Sequence, residues 1–157
     1  MLNDLYNKQI LGFAADIPLI GRLEDPDGTA KAHSKLCGST VTVDLKVADG
    51  VVTDFAHQVK ACALGQASSS IMARHVVGES AARLRKLRDE MHAMLKEGAP
   101  APDSDWADLQ VLGPVRDFKA RHASTLLTFD AVVSALDMAE SAAAEGTGAD
   151  EKSAAQA

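Results

Sequence analysis

A chain of 157 residues suits one domain of ordinary size, able to bury a core without disulfide or metal staples. Sixteen basic against 22 acidic residues give a net charge of −6, and aromatics are only 4%. That composition argues against a non-specific, phosphate-neutralising nucleic-acid binder and against a base-stacking platform. No apolar run approaches the roughly 20 residues of a membrane helix. Met1-Leu2-Asn3-Asp4-Leu5 also lacks a basic region followed by an apolar stretch. The expectation is a cytoplasmic protein.

Leu2, Leu5, Ile10 and Phe13 predict a first helix. It should end before Asp16-Ile17-Pro18, because the residue ahead of proline avoids the helical region. Asp25-Pro26-Asp27-Gly28 is a turn in which proline presets φ and glycine permits positive φ. The period then changes to two. Val41, Val43, Leu45 and Val47 alternate with Thr42, Asp44, Lys46 and Ala48, as a half-buried strand should. Asp49-Gly50 signals a tight hairpin, and Val51, Thr53, Phe55, His57 and Val59 alternate on the return strand. A further strand is expected over residues 29–36.

After Cys62 the spacing turns helical. Leu64, Ala67, Ile71 and His75 predict one helix with Gly78 as its C-cap. Leu84, Leu87, Met91, Met94 and Leu95 predict a second, ending at Gly98. Residues 97–105, with Pro100 and Pro102, read as a loop, and Leu109, Val111 and Leu112 as a short turn against the body. Leu126, Phe129, Val133 and Leu136 mark a long helix over residues 119–140. Residues 141–157 are too poor in apolar side chains to order themselves and read as a frayed tail after a single domain, 1–140. Strands followed by helices predict an α+β fold: a three-stranded antiparallel sheet with helices packed on one face.

Chemistry points to the two cysteines. Cys37, in Lys35-Leu36-Cys37-Gly38-Ser39, lies where the first strand turns into the second. Cys62, in Ala61-Cys62-Ala63-Leu64-Gly65, lies between the last strand and the next helix. The positive end of that helix lowers the pKa of a thiol beside it, and the thiolate is the form that binds metal or attacks sulfur. Core packing accounts for one cysteine. Two at such junctions favour a shared metal or sulfur site. A disulfide between them requires Cα atoms within about 7 Å and ranks lower in a reducing compartment. Asp44, Asp54 and the charges from Arg83 to Glu90 read as solvated faces. Ser68, Ser69 and Ser70 lack a nucleophile elbow and read as helix packing with back-bonding to carbonyls. His57, His75 and His92 read as face or core residues. No phosphate-binding glycine loop is present.

The succession Cys37-Gly38-Ser39, hairpin, Cys62, Ala67-Ser68-Ser69-Ser70 and Gly78-Glu79-Ser80 resembles the NifU N-terminal, IscU and SufU scaffold family of iron–sulfur cluster assembly. In that family Cys-Gly-Asp opens a strand, and a second cysteine precedes an Ala-Ser-Ser helix. Residues 80–117 are similar to the SufU-type insertion. Phe118, Arg121, Leu127 and Phe129 are similar to the segment around the SufU-type third cysteine. The resemblance spans residues 2–138 and implies a SufE/IscU-like fold. It also implies a scaffold or carrier that binds iron and/or sulfur through Cys37 and Cys62. The cargo is then a transient iron–sulfur cluster, zinc or iron. The implied partners are a cysteine desulfurase and recipient apoproteins, with neither nucleic acid nor membrane.

The chain also departs from the family pattern. Ser39 stands in place of the metal-proximal aspartate, Ser124 in place of the third cysteine, and Ala123 where IscU proteins carry histidine. Zinc and iron–sulfur sites normally take four ligands. Cys37, Cys62 and the displaced His122 supply three metal ligands, and His33 a fourth if its strand brings it round. A SufU-like alternative makes Cys62 the persulfide acceptor of a desulfurase, with sulfurtransfer as its activity. A third reading is an interaction module that has lost cluster chemistry.

Overall fold

A computed structural model describes residues 7–35 and 38–156, with side chains described up to residue 143. Helix α1 spans Lys8–Ala15. Strands β1 (Gly28–His33), β2 (Thr40–Ala48) and β3 (Val51–Lys60) follow, then helices α2 (Ala63–His75), α3 (Ala81–Glu97) and α4 (His122–Gln156). The predicted α+β architecture holds: one antiparallel sheet in the order β1-β2-β3, with helices against it.

Strand alternation decides what each face meets. Val41, Val43 and Leu45 are fully buried on the side covered by α4. The hairpin turns on Asp49 (φ 54°) and Gly50 (φ 77°), the positive-φ pair whose twist matches the flanking strands. At Gly28 a Cβ would lie 2.0 Å from the Ala135 carbonyl oxygen, so only glycine lets β1 begin this close to α4.

The opposite face is not simply open. Beyond α1 the chain runs beside β3, where Gly21 N–H donates to the His57 carbonyl (2.9 Å) and His57 N–H to the Leu19 carbonyl (3.1 Å). It then crosses β2 toward β1. Asp44, expected on a solvated face, is fully buried under this strap. Arg22 Nε (2.6 Å), Leu23 N–H (3.0 Å) and Thr29 Oγ1 (2.7 Å) all donate to its carboxylate. A period-two reading sees the alternation but not a segment from earlier in the chain folding over it.

The helical half follows its expected stripes with local differences. Ser80 caps α3 by accepting from Arg83 N–H (3.1 Å), and Gly98 ends it in the left-handed region. Helix α2 is capped by Val76 rather than Gly78, whose N–H instead donates to the Val52 carbonyl (2.8 Å). The charge run on α3 is not merely solvated. Arg85 bonds Asp137 and Glu140, and Arg88 and His92 both bond Asp130, so this face is pinned to α4. The expected short turn is a longer 3₁₀ run, Ser104–Asp117. Its buried Trp106, Leu109, Leu112 and Val115 recur every three residues, the period of that helix. The first strand is shorter than expected, and the expected helical residues 1–6 lie outside the described residues. No helix among the described residues is long and apolar enough to cross a membrane.

Candidate functional site

Cys62 is the N-cap residue of α2, with extended backbone (φ −68°, ψ 173°). A serine or aspartate in that place would bond the helix's first free N–H groups. The Cys62 side chain makes no such bond. Its half-buried Sγ lies 3.4 Å from Ser124 Oγ, on the first turn of α4. Ser124 is buried, and its hydroxyl also donates to the Arg121 carbonyl (3.2 Å). That carbonyl receives a second, shorter bond from Thr125 Oγ1 (2.8 Å), so it keeps a donor when the Ser124 proton turns to sulfur. The hydroxyl is therefore equipped both to accept from the Cys62 thiol and to donate to its thiolate.

Gly65 makes this meeting sterically possible. A Cβ there would lie 2.7 Å from the Ala61 Cβ and 3.0 Å from the Ser124 carbonyl oxygen. One turn into α2, the missing side chain lets the start of α4 close on the turn that carries Cys62.

Cys62 lines a cavity together with Lys31, Gly38, Ser39, Thr40, Lys60 and Ala61. Thr40 pairs with His33 on one side and Lys60 on the other, while Lys31 pairs with Thr42. Lys31, Lys60 and His33 thus share the strap-free end of the outer sheet face. Ser39, at the family's aspartate position, is buried.

Cys37 and Leu36 lie outside the described residues, so the expected approach of Cys37 to Cys62 is not described. His122 is buried, with Nε2 3.0 Å from both the Val115 and Arg116 carbonyls. Two carbonyl neighbours require a proton on Nε2, so in the neutral ring the lone pair sits on Nδ1. That Nδ1 is buried without a hydrogen-bond partner among the described residues. Among the described residues no three His, Cys, Asp or Glu side chains gather as a metal site.

The remaining histidines have structural places. His57 is fully buried and donates from Nε2 to the Pro18 carbonyl (2.8 Å), with burial depressing its pKa against that bond. His75 meets Asp108 and the edge of Trp106, and His92 meets Asp130. Ser68 back-bonds the Gly65 carbonyl (3.2 Å), and Ser70 reaches the Asp16 carbonyl (2.9 Å), so the serine run serves packing. Gly65, Lys31 and Lys60 were not legible as site residues. Lys60, two positions ahead of Cys62, was the available signal; Lys31 needs the strand register to be placed.

Residues 5–125 match the family described as "NifU-like N terminal domain". The chain belongs to this NifU-like family. It is 62% identical to a "Nitrogen-fixing NifU-like protein (N-terminal)" from Brucella abortus, whose crystal structure matches with a TM-score of 0.87 over 89% of this chain and 97% of that one. It is also 26% identical over 132 residues to the "Iron-sulfur cluster assembly scaffold protein IscU" of Thermotoga maritima, covering 84% of this chain and 92% of that protein. A putative SufU scaffold from Fervidobacterium islandicum shares the fold, with a TM-score of 0.71 at 20% identity, covering 84% of this chain and 96% of that one. In this NifU-like chain, Ser124 meets the α2 cysteine at the position assigned by sequence to the family's third cysteine.

Proposed function

We propose that this NifU-like protein is an iron–sulfur cluster assembly scaffold or carrier that receives iron and sulfur at Cys62 together with Cys37, and passes them on. The observation that carries this reading is Cys62 itself: a half-buried thiol at a helix N-terminus, without a capping bond, on a residue that lines an open cavity. A cysteine kept only for packing has no need of that placement. His122 is the proposed third ligand, through Nδ1. A ligating histidine typically donates its other ring N–H to a carbonyl, and Nε2 already does so. The proposed partners are a cysteine desulfurase and recipient apoproteins.

With serine at both Ser39 and Ser124, the ligand set favours transient over tight holding of cargo. Serine hydroxyls seldom deprotonate beside such metals, and a site short of ligands exchanges readily. Anaerobic reconstitution with iron and sulfide, followed by metal and sulfur analysis, tests the reading. Loading should depend on Cys62; a protein that takes up no iron, zinc or persulfide sinks it. The second reading, persulfide acceptance at Cys62, is favoured by the lysines around the thiol. Desulfurase stimulation that is lost in Cys62→Ser identifies it. A phenotype that survives removal of both cysteines identifies a partner-binding module instead.

A further inference from the structure

We infer that Lys31 and Lys60 make the Cys62 cavity selective for anionic sulfur donors, with a persulfide terminus as the ligand chemistry. The inference deepens the sulfur-accepting reading of Cys62 and rests on it. Both lysines line the cavity that holds the thiol, and both are exposed. Among the described residues the cavity lining contains no carboxylate. Among the described residues neither ammonium has an ion-pair partner that would neutralise it.

The charge is also unevenly placed along the sheet. At the cavity end stand Lys31 and Lys60. At the hairpin end stand Asp27, Asp49 and Asp54, with Lys46 paired in register to Asp54. A protein of net charge −6 repels anions on average, so a cationic mouth at its candidate thiol sets the local field against the global one. Fields focused in such a cleft raise the local concentration of oppositely charged ligands and their rate of encounter.

Sulfur transfer gives that field a use. The Cys62 thiolate attacks the terminal sulfur of a donor R–S–SH. A bond forms between Cys62 Sγ and that sulfur, and the donor S–S bond breaks. Its electron pair leaves with R–S⁻, and the proton stays on the transferred sulfur. Nothing is oxidised or reduced overall. The step brings an anionic nucleophile to a donor that is itself readily anionic and releases another anion. Two ammonium groups beside the sulfur offset that repulsion and stabilise the departing thiolate.

The test compares reagents of different charge at Cys62 in the full chain carrying Cys37→Ser. Modification by dianionic dithiobis(nitrobenzoate) is divided by modification by neutral dithiodipyridine at one pH. The ratio should fall on the order of ten-fold at low salt in Lys31→Glu/Lys60→Glu. It should fall toward the variant's value when salt is added to the parent. Lys46→Glu, at the far end of β2, should leave it unchanged. The neutral reagent reports on folding, because a disordered variant changes both rates. A ratio insensitive to the lysines overturns the inference. Sulfur loading is then followed with glutathione persulfide and, separately, with a desulfurase and cysteine. Slower loading of the double variant in one arm identifies that donor as the one recruited; unchanged loading in both overturns the inference. If Cys62 of the parent loads from neither donor, the sulfur-accepting reading fails, while the reagent ratio still decides whether the cavity selects anions.

Discussion

Cys62 and Ser124 are separated by 62 positions in sequence and meet at 3.4 Å. The contact puts a hydroxyl where a third thiolate, beside Cys37 and Cys62, would complete more of the proposed metal site. Ser124→Cys should therefore raise the zinc or iron retained per protein after anaerobic reconstitution, since thiolate is a far better ligand than a neutral hydroxyl. Ser124→Ala should instead lower stability by about 1 kcal/mol, the usual net loss for one hydrogen bond, without raising metal retention. Metal analysis of protein kept reduced checks the retention in both variants, and urea denaturation checks the stability of Ser124→Ala. A Ser124→Cys protein that retains no more metal than the parent would show that something other than this ligand limits the site.

Gly65 should prove less replaceable than other helical glycines. Adding a Cβ forces Ala61 or the Ser124 turn to move, because the contacts would be 2.7 and 3.0 Å. Gly65→Ala should cost about 1–3 kcal/mol, as overpacking of a tight core does. Gly12, in α1, has nothing within 4 Å of the same added atom. Gly12→Ala should be stabilising by about 0.5–1 kcal/mol through helix propensity alone. Urea denaturation of the two variants should give midpoints displaced in opposite directions; displacement in the same direction would refute the steric argument.

The contrast between these glycines shows where sequence reading stops. Local signals carried the sheet: the alternation around Val43 and Leu45 and the Asp49-Gly50 turn each depend on residues a few positions apart. The family pattern placed Ser124 at a ligand position before any distance was known. Long-range approach left weaker traces. Nothing near Asp44 announces that residues 22 and 23 will cover it, and Gly65 looks like any helical glycine until Ser124 arrives. The Trp106, Leu109, Leu112 and Val115 series carries the period of three in plain view, but the short turn expected around Leu109, Val111 and Leu112 spans only part of it. At the site, the two lysines became partners of Cys62 only through the register of three strands.

Asp44 should be a large determinant of acid stability. Burial alone pushes its carboxyl upward, but the bonds from Arg22, Thr29 and Leu23 outweigh that and hold it below its ordinary value of 3.8. A folded pKa below the unfolded one means the unfolded chain binds more protons in the window between them, so stability is lost as pH falls from 3.8 through the folded value. Asp44→Asn should lower stability at neutral pH by about 1.5–3 kcal/mol, as expected when hydrogen bonds to a charged group are weakened. It should also remove the corresponding steepening at acid pH. Urea titrations at several pH values would reveal whether the slopes of parent and variant differ there. Parallel slopes would mean the carboxylate is not held by these donors.

His57 titrates in a separate, higher window. Burial depresses its pKa below 6.5, and the bond to the Pro18 carbonyl only partly opposes that. Its second ring nitrogen is buried without a partner, so a proton added there has nothing to bond. Below pH 6.5 the unfolded chain takes up this proton before the folded one does. Stability should therefore decline as pH falls from 6.5 toward the depressed value, with a slope of at most about 1.4 kcal/mol per pH unit from this group. Below the folded value the difference stops growing. His57→Gln can still offer an N–H toward the Pro18 carbonyl but carries no titrating proton. The variant should lose this decline while retaining the Asp44 transition at lower pH. Because His57 also anchors the strap through its backbone N–H and carbonyl, which the substitution leaves in place, a lost slope with the strap still protected from hydrogen exchange would trace the effect to the ring. An unchanged slope in His57→Gln would assign the decline to another group.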